Sequence, residues 1–287
     1  WNTRTSSWSC VVLPSLRCQR VAERQVGVIP MRFLRLLSLF AAMLASSLVS
    51  AFELSLDPAR RTVTIVPSSP GEVIRYTLNG KDPDFSAGVY LAPIALPEGG
   101  TVKAAAFEGS KLVGKVSTLP VSFDGANGPK NSALLPLTQN RDWKSYDWVV
   151  RHQEILALNQ PGAIRADVVF IGDSITHFWS GEPKARRVAG KDSWDKWIAP
   201  HHPINLGYGW DRTENVLWRL RHGEVAGLKP KAYVVLIGTN NLSGFNPPAQ
   251  TAEGVAEVCR EIRRQSPQAK ILLLAILPRQ AKPDATR

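Results

Sequence analysis

Between Phe52 and Phe123 apolar and polar positions alternate in short runs: FELSL, RTVTIVP, VIRYTLN, VYLAPIAL, TVKAAAF and KVSTLPVSF. A period of two is that of a strand with one face buried. The breaks carry turn formers, Asp57-Pro58, Pro70-Gly71, Asn79-Gly80 and Gly99-Gly100, which lets each run fold back on the last. Six or seven strands in about 72 residues predict a small all-β antiparallel sandwich over 52–123. Residues 124–140, DGANGPKNSALLPLTQN, read as a Gly/Asn/Pro-rich linker.

From 141 to 287 the pattern changes. An amphipathic helix is expected from Trp143 to Leu158, then strand Asp167–Ile171, a helix after Ser174, and strand Ile204–Leu206. Helix Glu214–Arg221, strand Ala232–Ile237, helix Ala249–Gln265 and strand Lys270–Ile276 complete the series. Strand and helix alternate, and DVVFI, YVVLI and ILLLAI are continuously apolar. That predicts an α/β domain, a parallel sheet covered on both faces in three layers, with its chemistry at the carboxyl ends of the strands.

Charge and cysteine content narrow the classes. The formal charge is +11, but residues 1–51 hold six Arg and no Lys against one Glu, so +5 lies there and +6 is spread over the remaining 236 residues. A diffuse excess without a Lys/Arg run gives nucleic acid little to bind. Of three cysteines, Cys10 and Cys18 lie near the start, leaving Cys259 without an intramolecular partner. No disulfide framework and no Cys-based metal site is therefore expected; nor is any other metal site, because the adjacent His201-His202 pair does not converge on one ion. The segment Met31–Ala51 has Arg32 and Arg35, an apolar stretch from Leu36 to Val49, and Val49-Ser50-Ala51 at its end. This is a secretory signal pattern, with secreted or periplasmic export expected after cleavage at Ala51; the alternatives are an uncleaved anchor or a buried helix. At 14 residues the stretch is short for a bilayer span, so no stable membrane anchor is expected. Residues 1–30 precede Met31 without periodicity and are expected to be non-native upstream translation.

Candidate chemistry lies at three strand ends. Gly172-Asp173-Ser174 follows the first strand, Gly207-Tyr208-Gly209-Trp210-Asp211-Arg212 the second, and Gly238-Thr239-Asn240-Asn241 the third. A Ser where a strand turns into a helix has its own N–H and the positive helix end beside its hydroxyl, a setting suited to a nucleophile. A Gly-Asp-Ser alone is equally an N-cap, and Asp173 stays open between capping the helix and holding the nucleophile turn. Trp179, Trp194, Trp197 and Trp210 are expected on loops above the site, where flat rings could stack on sugars, and Trp148 and Trp218 in the core.

The ordered combination of the three blocks, with Glu214–Leu220 and Leu277-Pro278-Arg279, resembles the SGNH (GDSL-type) hydrolases on the branch containing the platelet-activating factor acetylhydrolase type I catalytic subunits. Within the sandwich, Arg75–Gly80, Asp82-Pro83 and Thr101–Phe107 resemble the chitobiase C-terminal-like modules appended to carbohydrate-active enzymes. The first resemblance implies a flavodoxin-like domain and a cofactor-free serine esterase acting on a small acyl ester, with Ser174 as nucleophile. The oxyanion would be held by the N–H of Ser174, a second-block N–H supplied by Trp210, and the side chain of Asn240. Asp173, Gly207, Gly209 and Asn241 would support them. Trp210 departs from the branch, which often has Gly there. The family's base is the His of an Asp-x-x-His block, and this sequence has none; His152, His177, His201, His202 and His222 are expected to be surface or supporting residues. The domain is accordingly expected to lack roughly 60–90 residues and the fragment to be inactive alone. An acetyl ester on a carbohydrate is the expected substrate; the rival is a non-catalytic carbohydrate-binding protein on the same scaffold. A nucleotide-binding fold is disfavoured because Gly207-x-Gly209 lacks a third glycine. Oligomeric state is left open.

Overall fold

The computed structural model describes residues 52–96, 98–123, 131–141, 144–160 and 162–278. The upstream segment, the signal pattern at 31–51, Trp143 and Arg279 lie outside the described residues.

The first half is an all-antiparallel sandwich of seven strands. β1 (Glu53–Asp57), β2 (Thr62–Val66) and β5 (Ile94–Ala95) form one sheet in the order β1-β2-β5, and β4 (Gly88–Val89), β3 (Val73–Thr77), β6 (Gly100–Glu108) and β7 (Lys111–Val121) the other in that order. Alternation decides which side chains meet: Val63 and Ile65 of β2, Ile74 and Tyr76 of β3, and Val102, Ala104 and Ala106 of β6 share one buried core. The single expected run VYLAPIAL divides into β4 and β5, which pair with β3 and β2 in different sheets. Pro93 lies where the chain crosses, a residue with no N–H to give a ladder.

The second half is built on a four-stranded parallel sheet of β8 (Val168–Gly172), β9 (Pro203–Gly207), β10 (Ala232–Leu236) and β11 (Lys270–Leu273), in spatial order β11-β10-β8-β9. Counted in chain order this is the 2-1-3-4 arrangement of flavodoxin-like sheets, whose switch point lies between the first and third strands. Here that point is between β8 and β10. Val169, Ile171, Ile204, Leu206, Tyr233 and Val235 face a helical layer of α1 (Trp148–Leu158), α4 (Thr213–Arg221) and α5 (Pro248–Gln265), burying Trp148, Ile155, Leu217, Val258 and Ile262. α1 begins at Trp148, five residues later than expected, because Asp147 caps it: its Oδ1 accepts from the Val149 and Val150 N–H groups at 2.8 and 3.0 Å.

The other face is covered more thinly. Only one helical turn, α2 (Ser174–His177), follows β8, and a loop then leads through the short α3 (Lys191–Ser193) and a π turn, Trp194–Ile198. Trp194 is buried against Phe170, ring centres 5.2 Å apart, and against Trp179 at 5.4 Å. Over β10 and β11 an apolar groove of about 420 Å³ remains, lined in part by Phe170, Val234, Leu236, Leu274 and Leu277.

The expected linker is corrected from residue 131 onward, where it is a packed strap. The Thr138 hydroxyl donates to the Val89 carbonyl of the sandwich at 2.6 Å, while the Leu137 carbonyl accepts from Asn215 Nδ2 at 2.7 Å. Asn131, Thr138 and Gln139 are buried with their side chains hydrogen-bonded, as buried polar groups generally are; Asn140 is buried as well. Among the described residues no helix is long and apolar enough to cross a membrane.

Candidate active site

The sheet register brings the three sequence blocks together. Gly172 at the end of β8 pairs with Gly207 on one side and Leu236 on the other, so the segments leaving these strands start side by side. Ser174 opens α2, half-buried, with Asp173 as its N-cap: Asp173 Oδ1 accepts the Ile175 N–H at 2.9 Å. Capping the helix and holding the turn that carries Ser174 are here one and the same bond. The Tyr208 N–H returns to the Gly172 carbonyl at 3.0 Å and ties the second block to the first.

Five polar side chains shape the second block. Arg151 donates from Nε to the Gly207 carbonyl at 2.9 Å, and from its two terminal nitrogens to Pro183 and Asn205 carbonyls at 3.1 and 3.0 Å. Asn205 Oδ1 accepts the Gly207 N–H at 2.9 Å. A Cβ on Gly207 would collide with the His177 backbone nitrogen, so β9 must end in glycine for α2 to sit this close. The Gly209 N–H donates to His177 Nδ1 at 3.1 Å, and the Gly209 carbonyl accepts from Tyr146 Oη and Gln139 Nε2, both at 2.7 Å. Asp211 N–H to Tyr208 carbonyl, 3.2 Å, closes a β-turn whose third residue, Trp210, has φ +64°. Positive φ at that position alone is type II geometry, which favours glycine there. Trp210 holds it at a cost of about 1–2 kcal/mol relative to glycine.

The N–H groups of Gly207, Tyr208, Gly209 and Asp211 are all engaged, with Asn205, Gly172, His177 and Tyr208 respectively. Trp210's N–H makes none among the described residues, and neither does that of Ser174. Asn240 is buried and donates from Nδ2 to the Asp211 carbonyl at 2.9 Å. One amide proton is thus fixed and the second remains to donate. Asn241 is fully buried: its Nδ2 lies 2.9 Å from Glu214 Oε2 and 3.0 Å from Asn246 Oδ1, and its Oδ1 accepts the Thr213 N–H at 3.1 Å. It clamps the third block to the start of α4.

Behind the turn lies a buried ion cluster that the strand-end blocks gave no hint of. Arg219 Nε donates to Asp211 Oδ2 at 2.8 Å and Nη1 to Glu224 Oε2, all three side chains fully enclosed. Burial pushes the Asp211 carboxyl up to about 6, against the pull of Arg219 and the Gln139 and Trp148 donors. In front, Trp210 is 42% exposed, with the Arg141 guanidinium 4.9 Å from its ring centre. Trp210, Arg141, Arg212 and Phe245 line a cleft of about 460 Å³ whose far wall is Asn79 and Asp84 of the β3–β4 loop. Trp194 is no rim residue, being buried on Phe170, and Trp197 belongs to the π turn leading toward the amino end of β9. Trp148 and Trp218 are core, 5.5 Å apart.

None of the five histidines is hydrogen-bonded to Ser174. His152 stacks on Trp148 at 5.8 Å, His222 on Trp218 at 3.8 Å, and His201 and His202 precede the amino end of β9. His177 is enclosed between Tyr146 and Phe178 and gives its Nδ1 lone pair to Gly209. Burial, then Arg151 and Arg219, push its pKa down to about 3. A depressed histidine pKa means that the unfolded chain binds the extra proton between about 6.5 and 3. Stability is therefore full above about 6.5 and falls as pH drops through that window, by about 2 kcal/mol at pH 5. Urea unfolding at pH 7 and pH 5 should register the loss, and His177→Gln, which keeps an acceptor for Gly209 but cannot titrate, should flatten it. An equal pH dependence in both proteins would remove His177 from this role.

Arg151, Gln139, Tyr146 and the Arg219 cluster are the site residues that sequence reasoning missed. Their partners lie 54 to 72 residues away for Arg151–Asn205 and Gln139–Asp211, and no local pattern announces such pairs. Among the described residues, no group of three His, Cys, Asp or Glu side chains is placed to hold a metal ion.

Comparison with known proteins agrees with this architecture. Residues 170–287 match the GDSL-like Lipase/Acylhydrolase family, and residues 63–121 match Fn3 associated. Platelet-activating factor acetylhydrolase IB subunit alpha2 of Gallus gallus is 32% identical over 162 residues, 56% of this chain and 65% of its own length. Subunit alpha1 of Rattus norvegicus is 32% identical over 140 residues, 49% of this chain and 55% of its own. The chain thus spans about two thirds or less of the curated relatives it matches. Among solved structures, a family two carbohydrate esterase from Clostridium thermocellum in complex with cellohexaose overlaps 71% of this chain and 64% of its own, at 17% identity and a TM-score of 0.28, too low an overlap to speak to function. The three strand-end blocks and the family match coincide, and the segment from residue 170 onward is a GDSL-like lipase/acylhydrolase domain, homologous to the platelet-activating factor acetylhydrolase IB subunits.

Proposed function

We propose that this protein hydrolyses a small acyl ester, an acetyl ester on a carbohydrate, through a serine acyl-enzyme, and that it is exported. The observation that carries the reading is the pair of N–H groups on Ser174 and Trp210, unbonded among the described residues and set at neighbouring strand tips, with Asn240 on the next tip donating one amide proton to the Asp211 carbonyl and keeping the second. In this reading Ser174 Oγ attacks the ester carbonyl and passes its proton to a base. The three donors hold the oxyanion, whose collapse expels the alcohol with that proton; water then releases the acid. Carbohydrate is favoured by the cleft in which Trp210 and Phe245 face Asn79 and Asp84 of the sandwich, and export by the signal pattern at 31–51.

The test is to treat the full-length gene product with a fluorophosphonate probe and to assay it on p-nitrophenyl acetate, acetylated xylan and chitin oligomers, a lipid ester and a thioester. One label per chain on the peptide carrying Ser174, with turnover of the acetylated oligomers ahead of the lipid, is expected. Preference for lipid or thioester would overturn the carbohydrate assignment. A protein inert on every ester that still binds oligosaccharide would favour a binding role on the same scaffold, the reading to which Trp210 and the absence of a histidine bonded to Ser174 among the described residues also point.

A further inference from the structure

The carbonyl of Gly209 and the N–H of Trp210 belong to one peptide unit, and in a trans peptide they point in opposite directions. Whatever fixes the carbonyl therefore fixes the N–H. Type I and type II turns differ by a half-rotation of this central peptide, and type I places its third residue at a φ of about −90°, which any side chain tolerates. With tryptophan at that position the isolated loop prefers type I, and the N–H would then face the protein interior. Yet Trp210 stands at φ +64°. Two side chains oppose the loop's own preference: Tyr146 Oη and Gln139 Nε2 both donate to the Gly209 carbonyl at 2.7 Å, from the α1 side of the loop. His177 Nδ1, accepting the Gly209 N–H, pins the preceding peptide, so the half-rotation is confined to the Gly209–Trp210 unit.

We propose that Tyr146 and Gln139 are positioning residues that latch the Gly209–Trp210 peptide so that the Trp210 N–H is aimed outward as an oxyanion donor. The inference rests on the reading of that N–H as part of the oxyanion hole. It explains how a chain with tryptophan where glycine is expected keeps the donor: the latch does what glycine's conformational freedom would otherwise do. Tyr146 serves as a neutral phenol, its ionisation held far off by burial.

The experiment uses Tyr146→Phe and Tyr146→Phe/Gln139→Met, each with and without Trp210→Gly, in the full-length gene product. Turn geometry is read by NMR: the present turn gives a strong contact between Gly209 Hα and the Trp210 amide proton, the flipped turn one between the two amide protons. Tyr146→Phe is expected to lower kcat about tenfold and the double variant about 10²-fold, toward the full loss of one oxyanion donor, with KM little changed. Trp210→Gly is expected to restore kcat in both to within about threefold of its own parent, because glycine holds positive φ unaided. A merely structural role for Tyr146 would not be rescued by a change at Trp210. If the turn keeps its present geometry in the double variant, the latch is overturned while the esterase reading stands. Should the turn flip and kcat stay unchanged, Trp210's N–H is no oxyanion donor, and both the latch's role and that part of the site reading fall.

Discussion

Ser174→Ala is expected to lower ester hydrolysis by the full-length gene product by about 10⁴-fold or more, the scale on which removing a serine nucleophile acts. Alanine leaves the backbone at the start of α2 intact, together with the N–H at that position, the Trp210 N–H and the Asn240 amide. The variant therefore isolates the proposed nucleophile from the proposed oxyanion donors. Asn240→Ala, which removes one donor and keeps the nucleophile, should cost only about 10²–10³. The order of the two losses is itself diagnostic, because a binding site that merely lost shape would suffer more from the buried Asn240 than from half-buried Ser174. Stability of Ser174→Ala should stay within about 0.5 kcal/mol of the parent, since among the described residues no hydrogen bond from the Ser174 hydroxyl ties it to the fold. Retention of more than a few per cent of the rate by Ser174→Ala would remove the nucleophile assignment.

The second large effect concerns stability. Arg219→Met should destabilise the fold by about 3–5 kcal/mol, because it leaves the Asp211 and Glu224 carboxylates buried without their cation. The methionine replaces volume, so cavity formation adds little. The sign of the accompanying pH dependence follows from the carboxylates. With Arg219 present Asp211 is already pushed up to about 6 by burial; without the guanidinium's pull it rises further. A raised carboxyl pKa means that the folded state binds protons the unfolded chain does not, so stability declines as pH rises through the window. The deficit of Arg219→Met in urea unfolding should therefore be larger at pH 8 than at pH 5. Asp211→Asn and Glu224→Gln added together should recover much of it. A loss below about 1 kcal/mol, or one independent of pH, would show that the cluster bears little of the fold.

Much of the architecture was legible because it depends on local periodicity. Continuous apolar runs such as DVVFI and YVVLI became β8 and β10, and the Gly- and Asn-rich segments after β8, β9 and β10 became the neighbouring tips that carry Ser174, Trp210 and Asn240. The same local logic failed where long-range contacts decide. Composition marked 131–140 as a tether, yet Gln139 reaches Gly209 and Thr138 reaches Val89. His177 reads in sequence as a helix residue three places after a serine; its role comes from a glycine 32 residues on. Nor could spacing reveal that Arg151 would serve three backbone carbonyls. Such a buried guanidinium is tolerated only because each donor finds an acceptor, and the acceptors come from separate segments. Even Trp210 shows the divide: its departure from glycine is visible in the sequence, whereas the bonds that make the departure tolerable are not.

The strap at 131–140 has a consequence for how this pair of domains can evolve. Modules joined by free tethers can be exchanged like beads, because nothing in either partner depends on the join. Here one decapeptide bonds the sandwich through Thr138, seats against α4 through Leu137 and reaches the Gly209 carbonyl through Gln139. A recombination that replaced the sandwich at this boundary would carry away part of the scaffold behind the strand tips. Inheritance of the two halves is thereby coupled, and change in the module is constrained by the chemistry of its neighbour.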